Sequence, residues 1–318
     1  MLRSTVIGTT CWLFGAFAIL ATAGVQADEK VVIGLSQPNL GWPYIAAFTK
    51  AFEAEAANHP NVEVVVLSAE GDIAKQANDF DTLIAKEVDV LLVCSLDGNA
   101  IVTSIMAAHD AGIPVLAVSN EPAEAANPFF VGYSGPDDYV QGVIAAELMN
   151  EALGGAGNVV VVEGTPGQST TAARNKGFDD GLAQLNSKIQ VLARQPANWD
   201  PVRAKAVTED FLTAYGDKIN GIFSHDDNTA AAIGEVVRDA GKMGEIAVVG
   251  TGGSRNGILA IREGLVYGTM NQSPSADAKQ GLQLALDIVG GKDLPERRNI
   301  IPMPKITKAN ADQFEGEW

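Results

Sequence analysis

Cysteine is nearly missing from this chain of 318 residues, which holds two, Cys11 and Cys94. A small disulfide scaffold is thereby excluded, and stability must come from a packed interior. Histidine is as scarce. His59, His109 and His225 are the three, and none stands at metal-ligand spacing from another His or Cys, which argues against a metal centre. Bases are outnumbered, 22 Lys and Arg against 39 Asp and Glu, for a net charge of −17. Such a surface repels nucleic-acid phosphates and anionic membranes. No Gly-x-Ser-x-Gly elbow occurs. The stretch Gly250-Thr-Gly-Gly-Ser-Arg-Asn-Gly257 lacks both the third glycine of a dinucleotide fingerprint and the lysine of a P-loop. With no cofactor motif and no nucleophile in a recognisable setting, a binding protein is expected rather than an enzyme.

What the chain does have is 47% hydrophobic residues, more than one core usually holds, so two lobes are expected. Residues 1–27 read as a cleavable secretory signal, with Arg3 at its start, an apolar core from Cys11 to Leu20, and Val25-Gln26-Ala27 before the cut. That apolar core is shorter than a bilayer span. Removal leaves Cys94 as the lone thiol and sends the protein to the periplasm.

From Val31 onward, strand-like and helix-like stretches alternate. The first unit is the pattern for the rest. Val31 to Leu35 is a short β-branched run, Gln37 to Gly41 is turn chemistry, and Pro43 suits the first position of a helix carrying Ile45, Phe48, Phe52 and Ala56 on one face. The alternation continues through predicted strands at Val62–Leu67, Val88–Val93, Ile113–Val118, Phe129–Val131, Val159–Val162, Gln190–Ala193, Gly221–Phe223, Ile246–Val249 and Val266–Met270. A final helix begins at Ser273-Pro274, and one last strand is expected within Ile300–Thr307. The implied fold class is α/β, with parallel sheets covered on both faces. In such sheets ligands sit outside the carboxyl ends of the strands. The first of those loops holds Ser36, Asn39, Trp42 and Tyr44, two hydrogen-bonding groups beside two flat rings.

Several stretches in order resemble the ribose-binding-protein-like family of periplasmic sugar-binding proteins: Val31 to Ile45, Ile113-Pro-Val-Leu-Ala-Val-Ser119, Arg174-Asn-Lys-Gly-Phe178, Gln195-Pro-Ala-Asn-Trp-Asp-Pro201, Phe223-Ser-His-Asp-Asp-Asn228, Val248-Val-Gly-Thr251 and Thr269-Met-Asn-Gln272. The resemblance implies two Rossmann-like lobes joined by a three-segment hinge. The lobes would comprise 28–134 plus 272–300 and 135–271 plus 301–318, with crossings near Ser134, Asn271 and Ile300. It implies that a monomer closes on a small neutral monosaccharide, deoxy sugar or polyol and delivers it to the membrane permease of an ABC transporter. A sensory module presenting the same ligand to a receptor, or a secreted glycoside hydrolase, are the alternatives.

By the same resemblance, Trp42, Tyr44 and Trp199 would lie against the C–H faces of a sugar, although Trp42 and Tyr44 could instead pack to fix the start of their helix. Arg174 would fork onto adjacent hydroxyls. Asp226 would accept from hydroxyls while Asp227 caps the following helix, and Gln272 would be the hinge amide or else a plain turn residue. Ser119 and Asn120 stand where the family commonly has an Asp-Arg pair, Cys94 where an Asn is common, and Thr251-Gly252 in place of an aromatic-Asp pair. These departures remove fixed charge from the site and leave room for a polar ligand that is not a sugar. Replacing Arg174 or Trp199 by Ala is expected to weaken binding with little effect on folding.

Overall fold

The computed structural model describes residues 1–2 and 30–318. The signal-peptide expectation, Cys11 included, therefore falls outside the described residues apart from the first two. Two six-stranded sheets organise the remainder. The first contains β1 (Val31–Gln37), β2 (Val62–Ser68), β3 (Val90–Val93), β4 (Val115–Val118), β5 (Gly132–Gly135) and β11 (Arg298–Ile300), in the order β11-β5-β4-β3-β1-β2. The second contains β6 (Ala156–Glu163), β7 (Lys188–Pro196), β8 (Gly221–Ser224), β9 (Ala247–Val249), β10 (Gly268–Met270) and β12 (Lys305–Thr307), in the order β12-β10-β9-β8-β6-β7. Each sheet thus has its own switch point, between β1 and β3 in one and between β6 and β8 in the other. Those are the places where a doubly wound sheet opens a crevice.

All pairings are parallel except that of β12 with β10. Helices cover both faces, as parallel strands require. On the first sheet, α1 (Pro43–Ala56) and α9 (Pro274–Val289) bury Phe48, Phe52, Ala278 and Leu282 on one side. On the other side α2 (Ile73–Ala85) and α3 (Val102–Asp110) bury Phe80, Leu83 and Ile105. On the second sheet, α4 (Asp138–Leu153) and α5 (Ser169–Gln184) face one core, and α6 (Pro201–Tyr215), α7 (Asp227–Asp239) and α8 (Arg255–Glu263) the other. Each fully buried Phe adds about 1.5–3 kcal/mol. The chain passes between the sheets over 136–137, 271–273 and 301–304.

Two expectations need correction. Phe129–Val131 is not a strand. Phe130 is buried in the core beside α3, and β5 begins one residue later, with Gly132 paired to Leu116. The Gly-Tyr-Ser-Gly segment carries no β-branched run, so it gives no local strand signal. The tail also forms two strands instead of one, β11 on the first sheet and β12 on the second, separated by Pro302 and Pro304. Proline cannot donate to a ladder, so the chain leaves one sheet there and joins the other.

Candidate functional site

A cavity of about 590 Å³ lies between the lobes at the two switch points. Seven of the residues singled out in the sequence line it, Trp42, Tyr44, Asn120, Arg174, Trp199, Asp226 and Gln272. The first lobe supplies Trp42 and Tyr44 through the local rule read above. Trp42 ends the turn in an extended conformation, and Pro43 opens α1 at no hydrogen-bond cost.

The second lobe works harder to place its residues. α4 and α5 approach backbone to backbone, because a Cβ on Gly142 would sit 2.2 Å from the Arg174 carbonyl and one on Gly177 only 1.9 Å from that of Tyr139. That closeness brings Arg174 of α5 against Asp138 and Gln141 of α4. Arg174 Nη2 lies 3.0 Å from Asp138 Oδ1, and Nε and Nη2 donate to Gln141 Oε1 at 3.0 and 2.8 Å. Nη2 is also 3.3 Å from Gln272 Oε1, and Nη1 donates to the His225 carbonyl. The guanidinium is buried and fully engaged. Burial pushes the Asp138 carboxyl up, and Arg174 pulls it back.

Trp199 follows Asn198, and the two hold φ of +63° and +56°, a left-handed pair that non-glycine residues rarely adopt. The turn swings the indole over Gly164 at the end of β6, where an added Cβ would come within 2.0 Å of two ring carbons. Trp199 Nε1 donates to Gln168 Oε1 at 2.8 Å, and Arg174 Cζ lies 5.8 Å from the ring centre. Strain of this kind costs on the order of 1–3 kcal/mol per residue and persists where its surroundings fix it.

The cap expected of Asp227 is supplied by Asp226 instead. Asp226 is the cap of α7, accepting from the Thr229 amide at 3.0 Å, and still lines the cavity. Asp227 is fully buried and accepts from the Ser254 amide at 3.0 Å. Desolvation raises Asp226 to about 6 and Asp227 to about 7. Position alone could not say which of two adjacent acids turns inward.

Ser36, Cys94 and Ser119, expected at the ligand, lie one layer beneath the cavity. Gln76 reaches across from α2, its Nε2 donating to the Cys94 carbonyl at 2.9 Å and lying 3.4 Å from Ser36 Oγ, and this seals both residues into the sheet. Burial pushes the Cys94 thiol well up, the opposite of a reactive cysteine. Ser119 Oγ donates at 2.6 Å to Asp277 Oδ2, which also accepts from the Tyr44 hydroxyl at 2.8 Å. Ser119 therefore acts behind the wall, and burial holds the Asp277 carboxyl up at about 7. Asp138, Gln141 and Asp277 support the site from helices, and no sequence signal distinguished them. Thr251, named from the sequence, lines the cavity just beyond β9, and Gln168 and Asn228 line it from segments beyond β6 and β8, where the strand-end rule could have found them.

The lobes also touch across the mouth. Thr170 Oγ1 lies 2.8 Å from Asn120 Oδ1, and Ser169 Oγ donates to the Glu121 carbonyl at 2.7 Å. The cavity thus offers aromatic faces and amide or hydroxyl groups, and its one cation is already paired to a buried carboxylate.

The description of a periplasmic binding protein domain matches residues 33–293. The chain belongs to this periplasmic binding protein family. It is 32% identical over 252 residues to the xylitol-binding protein of Mycolicibacterium smegmatis, covering 79% of this chain and 70% of that protein. It is 30% identical over 264 residues to the ribose import binding protein of Bacillus subtilis, covering 83% of each. Among solved structures, a periplasmic solute binding protein of an ABC transporter from Actinobacillus succinogenes, with D-allose bound, superposes with a TM-score of 0.81. Its identity is 27%, over 90% of this chain and 100% of that one. The two-lobe α/β fold is that of these binding proteins.

Proposed function

We propose that this periplasmic binding protein captures a small neutral sugar or polyol between its lobes and delivers it to the permease of an ABC importer. The observation that carries the reading is the charge balance of the cavity. Arg174 is neutralised by Asp138, and Asp226 is desolvated far enough to be half-protonated near pH 6. An anionic ligand would find no free counter-charge, whereas a neutral polyhydroxyl molecule finds rings for its C–H faces and amides and carboxylates for its hydroxyls. The relatives named above are called xylitol-binding and ribose-import proteins, which agrees with that chemistry and favours neither a sensory nor a hydrolytic role.

Capture works by population shift. A ligand touched by both lobes gains its full contacts only when they are closed, so it favours closure by that differential energy. The bonds of Thr170 and Ser169 to the Asn120 and Glu121 segment add to the same state. A membrane permease then reads the closed shape. The chain acts as a monomer and reaches the periplasm by way of the signal at residues 1–27.

A thermal-shift screen of pentoses, hexoses, deoxy sugars and polyols tests the reading. A ligand at about 100 times its Kd stabilises the fold by roughly 2.7 kcal/mol, and calorimetry then gives its affinity. If no neutral polyhydroxyl compound shifts the melt while charged solutes do, the reading is wrong.

A further inference from the structure

The last residues of the chain return to the cavity. Trp318 lines it, with its ring edge-on to Tyr44 at 5.6 Å between centroids and 87° between planes. Tyr44 belongs to the first lobe, while the seat of Trp318 is built by the second. A Cβ on Gly252 would fall 2.5 Å from the indole, and one on Gly316 would fall 2.1 Å from the Arg255 amide. That amide, at the start of α8, donates to the Trp318 carbonyl at 2.8 Å. Between these anchors Glu317 reaches the other lobe, accepting from Ser273 Oγ at 2.6 Å and from the Ser275 amide at 3.0 Å, at the start of α9. Glycine lets the backbone close on α8 and lets the ring lie flat on the segment after β9. The indole Nε1–H is buried without a hydrogen-bond partner among the described residues.

We propose that Trp318 is a ligand-binding residue, a third aromatic wall that stacks on the C–H face of the bound molecule. The inference rests on the reading of this cavity as a sugar or polyol site and deepens it. Trp42, Trp199 and Trp318 enclose a neutral molecule from three sides, and this selects a compact polyol or monosaccharide and disfavours a disaccharide that would project past the tail. The tail is also a clasp. Glu317 holds α9 of one lobe while Gly316 and Trp318 hold α8 of the other, so the ring is positioned by both halves at the floor of the cleft.

The test is calorimetry on the full chain and its W318A, W318F and E317Q variants, with the sugar and polyol panel extended to amino acids and small amides. Whatever ligand binds the unmodified protein is expected to bind W318A about 30-fold more weakly. W318F keeps a smaller ring and is expected to fall about fivefold. E317Q keeps the ring but loosens one anchor of the clasp, and is expected to fall about threefold, less than W318A. Circular dichroism melts report folding of each variant separately, and W318F serves should W318A fail to fold. Affinities of W318A and W318F within twofold of the unmodified protein overturn the inference and leave the proposed function standing. If only an amino acid or amide binds, the proposed function fails, and the same affinity ratios for that ligand still decide the role of Trp318.

Discussion

The first lobe brings Trp42 and Tyr44 to the cavity on a helix whose start is relaxed, with an extended turn residue and a proline at the first position. The second brings Trp199 through two consecutive residues of positive φ and holds Arg174 within a buried network of Asp138, Gln141 and Gln272. One wall follows from local preferences. The other exists because tertiary contacts fix what the backbone alone disfavours. The difference teaches where stability and binding are coupled. In the first lobe a side chain can be removed from the cavity with modest harm to the fold, whereas in the second the same groups serve both.

Arg174→Ala breaks that comparison most severely. It leaves Asp138 buried without its counter-charge, together with the Gln141 amide oxygen, which loses both of its guanidinium donors. The expected loss of stability is about 3–5 kcal/mol, read from the midpoint of urea unfolding. This revises the expectation, drawn from sequence, that folding would be little changed. An Arg174→Ala protein as stable as the parent would show that the asymmetry between the lobes is only geometric. Trp199→Ala comes next. It should cost about 2–4 kcal/mol of ligand affinity by calorimetry and less of stability, since the ring is only partly buried.

The contrast also explains what could be read in advance. The alternating periods announced the α/β architecture, and Pro43 and Ser273-Pro274 marked helix starts that stand where they were expected. Trp42, Tyr44 and Trp199 were legible because aromatic residues in polar loops after strands are conspicuous. Ser36, Cys94 and Ser119 were misjudged for a geometric reason. A strand end can point into the crevice or under it, and the deciding group, Gln76 or Asp277, lies on a helix tens of residues away or more. The pairing of Arg174 with Asp138 was invisible because it depends on the close approach of α4 and α5. Trp318 carried no local sign at all, since its place in the cavity is set by Gly252, Gly316 and the start of α8.

A smaller effect sharpens the comparison at the glycines behind the two aromatic walls. In Gly164→Ala the new methyl meets the Trp199 ring, which must shift, so ligand affinity is expected to fall by about 1–3 kcal/mol. Gly41→Ala in the first lobe meets only the end of the Asn39 side chain and should stay within about 0.5 kcal/mol. Parallel titrations of the two variants check this, and equal losses would mean that both walls are equally constrained.

The mildest test concerns pH and separates the lobes by their buried acids. Asp277 beneath Tyr44 is raised to about 7, chiefly by desolvation, while Asp226 and Asp227 in the second lobe are raised to about 6 and about 7. A carboxyl raised in the folded state binds its proton more tightly there than in the unfolded chain. Its contribution to stability is therefore complete below the unfolded value near 4 and is lost as pH rises through the folded value. Buried His225, held well below its usual value by desolvation, works the other way up to about pH 6.5, so the melting temperature should fall chiefly from there to about pH 8. Surface acids held down by lysines, such as Asp217 and Asp287, titrate below that window and do not offset the trend. Asp277→Asn keeps an oxygen to accept from Tyr44 and Ser119 but has no proton to lose. The fall should shrink by the share of the first lobe, on the order of 1 kcal/mol or about 2–4 °C by scanning fluorimetry. An unaltered fall in Asp277→Asn would shift the dependence from Asp277 to the other acids that burial raises, Asp226, Asp227 and Asp138 in the second lobe and Asp79 and Glu121 in the first.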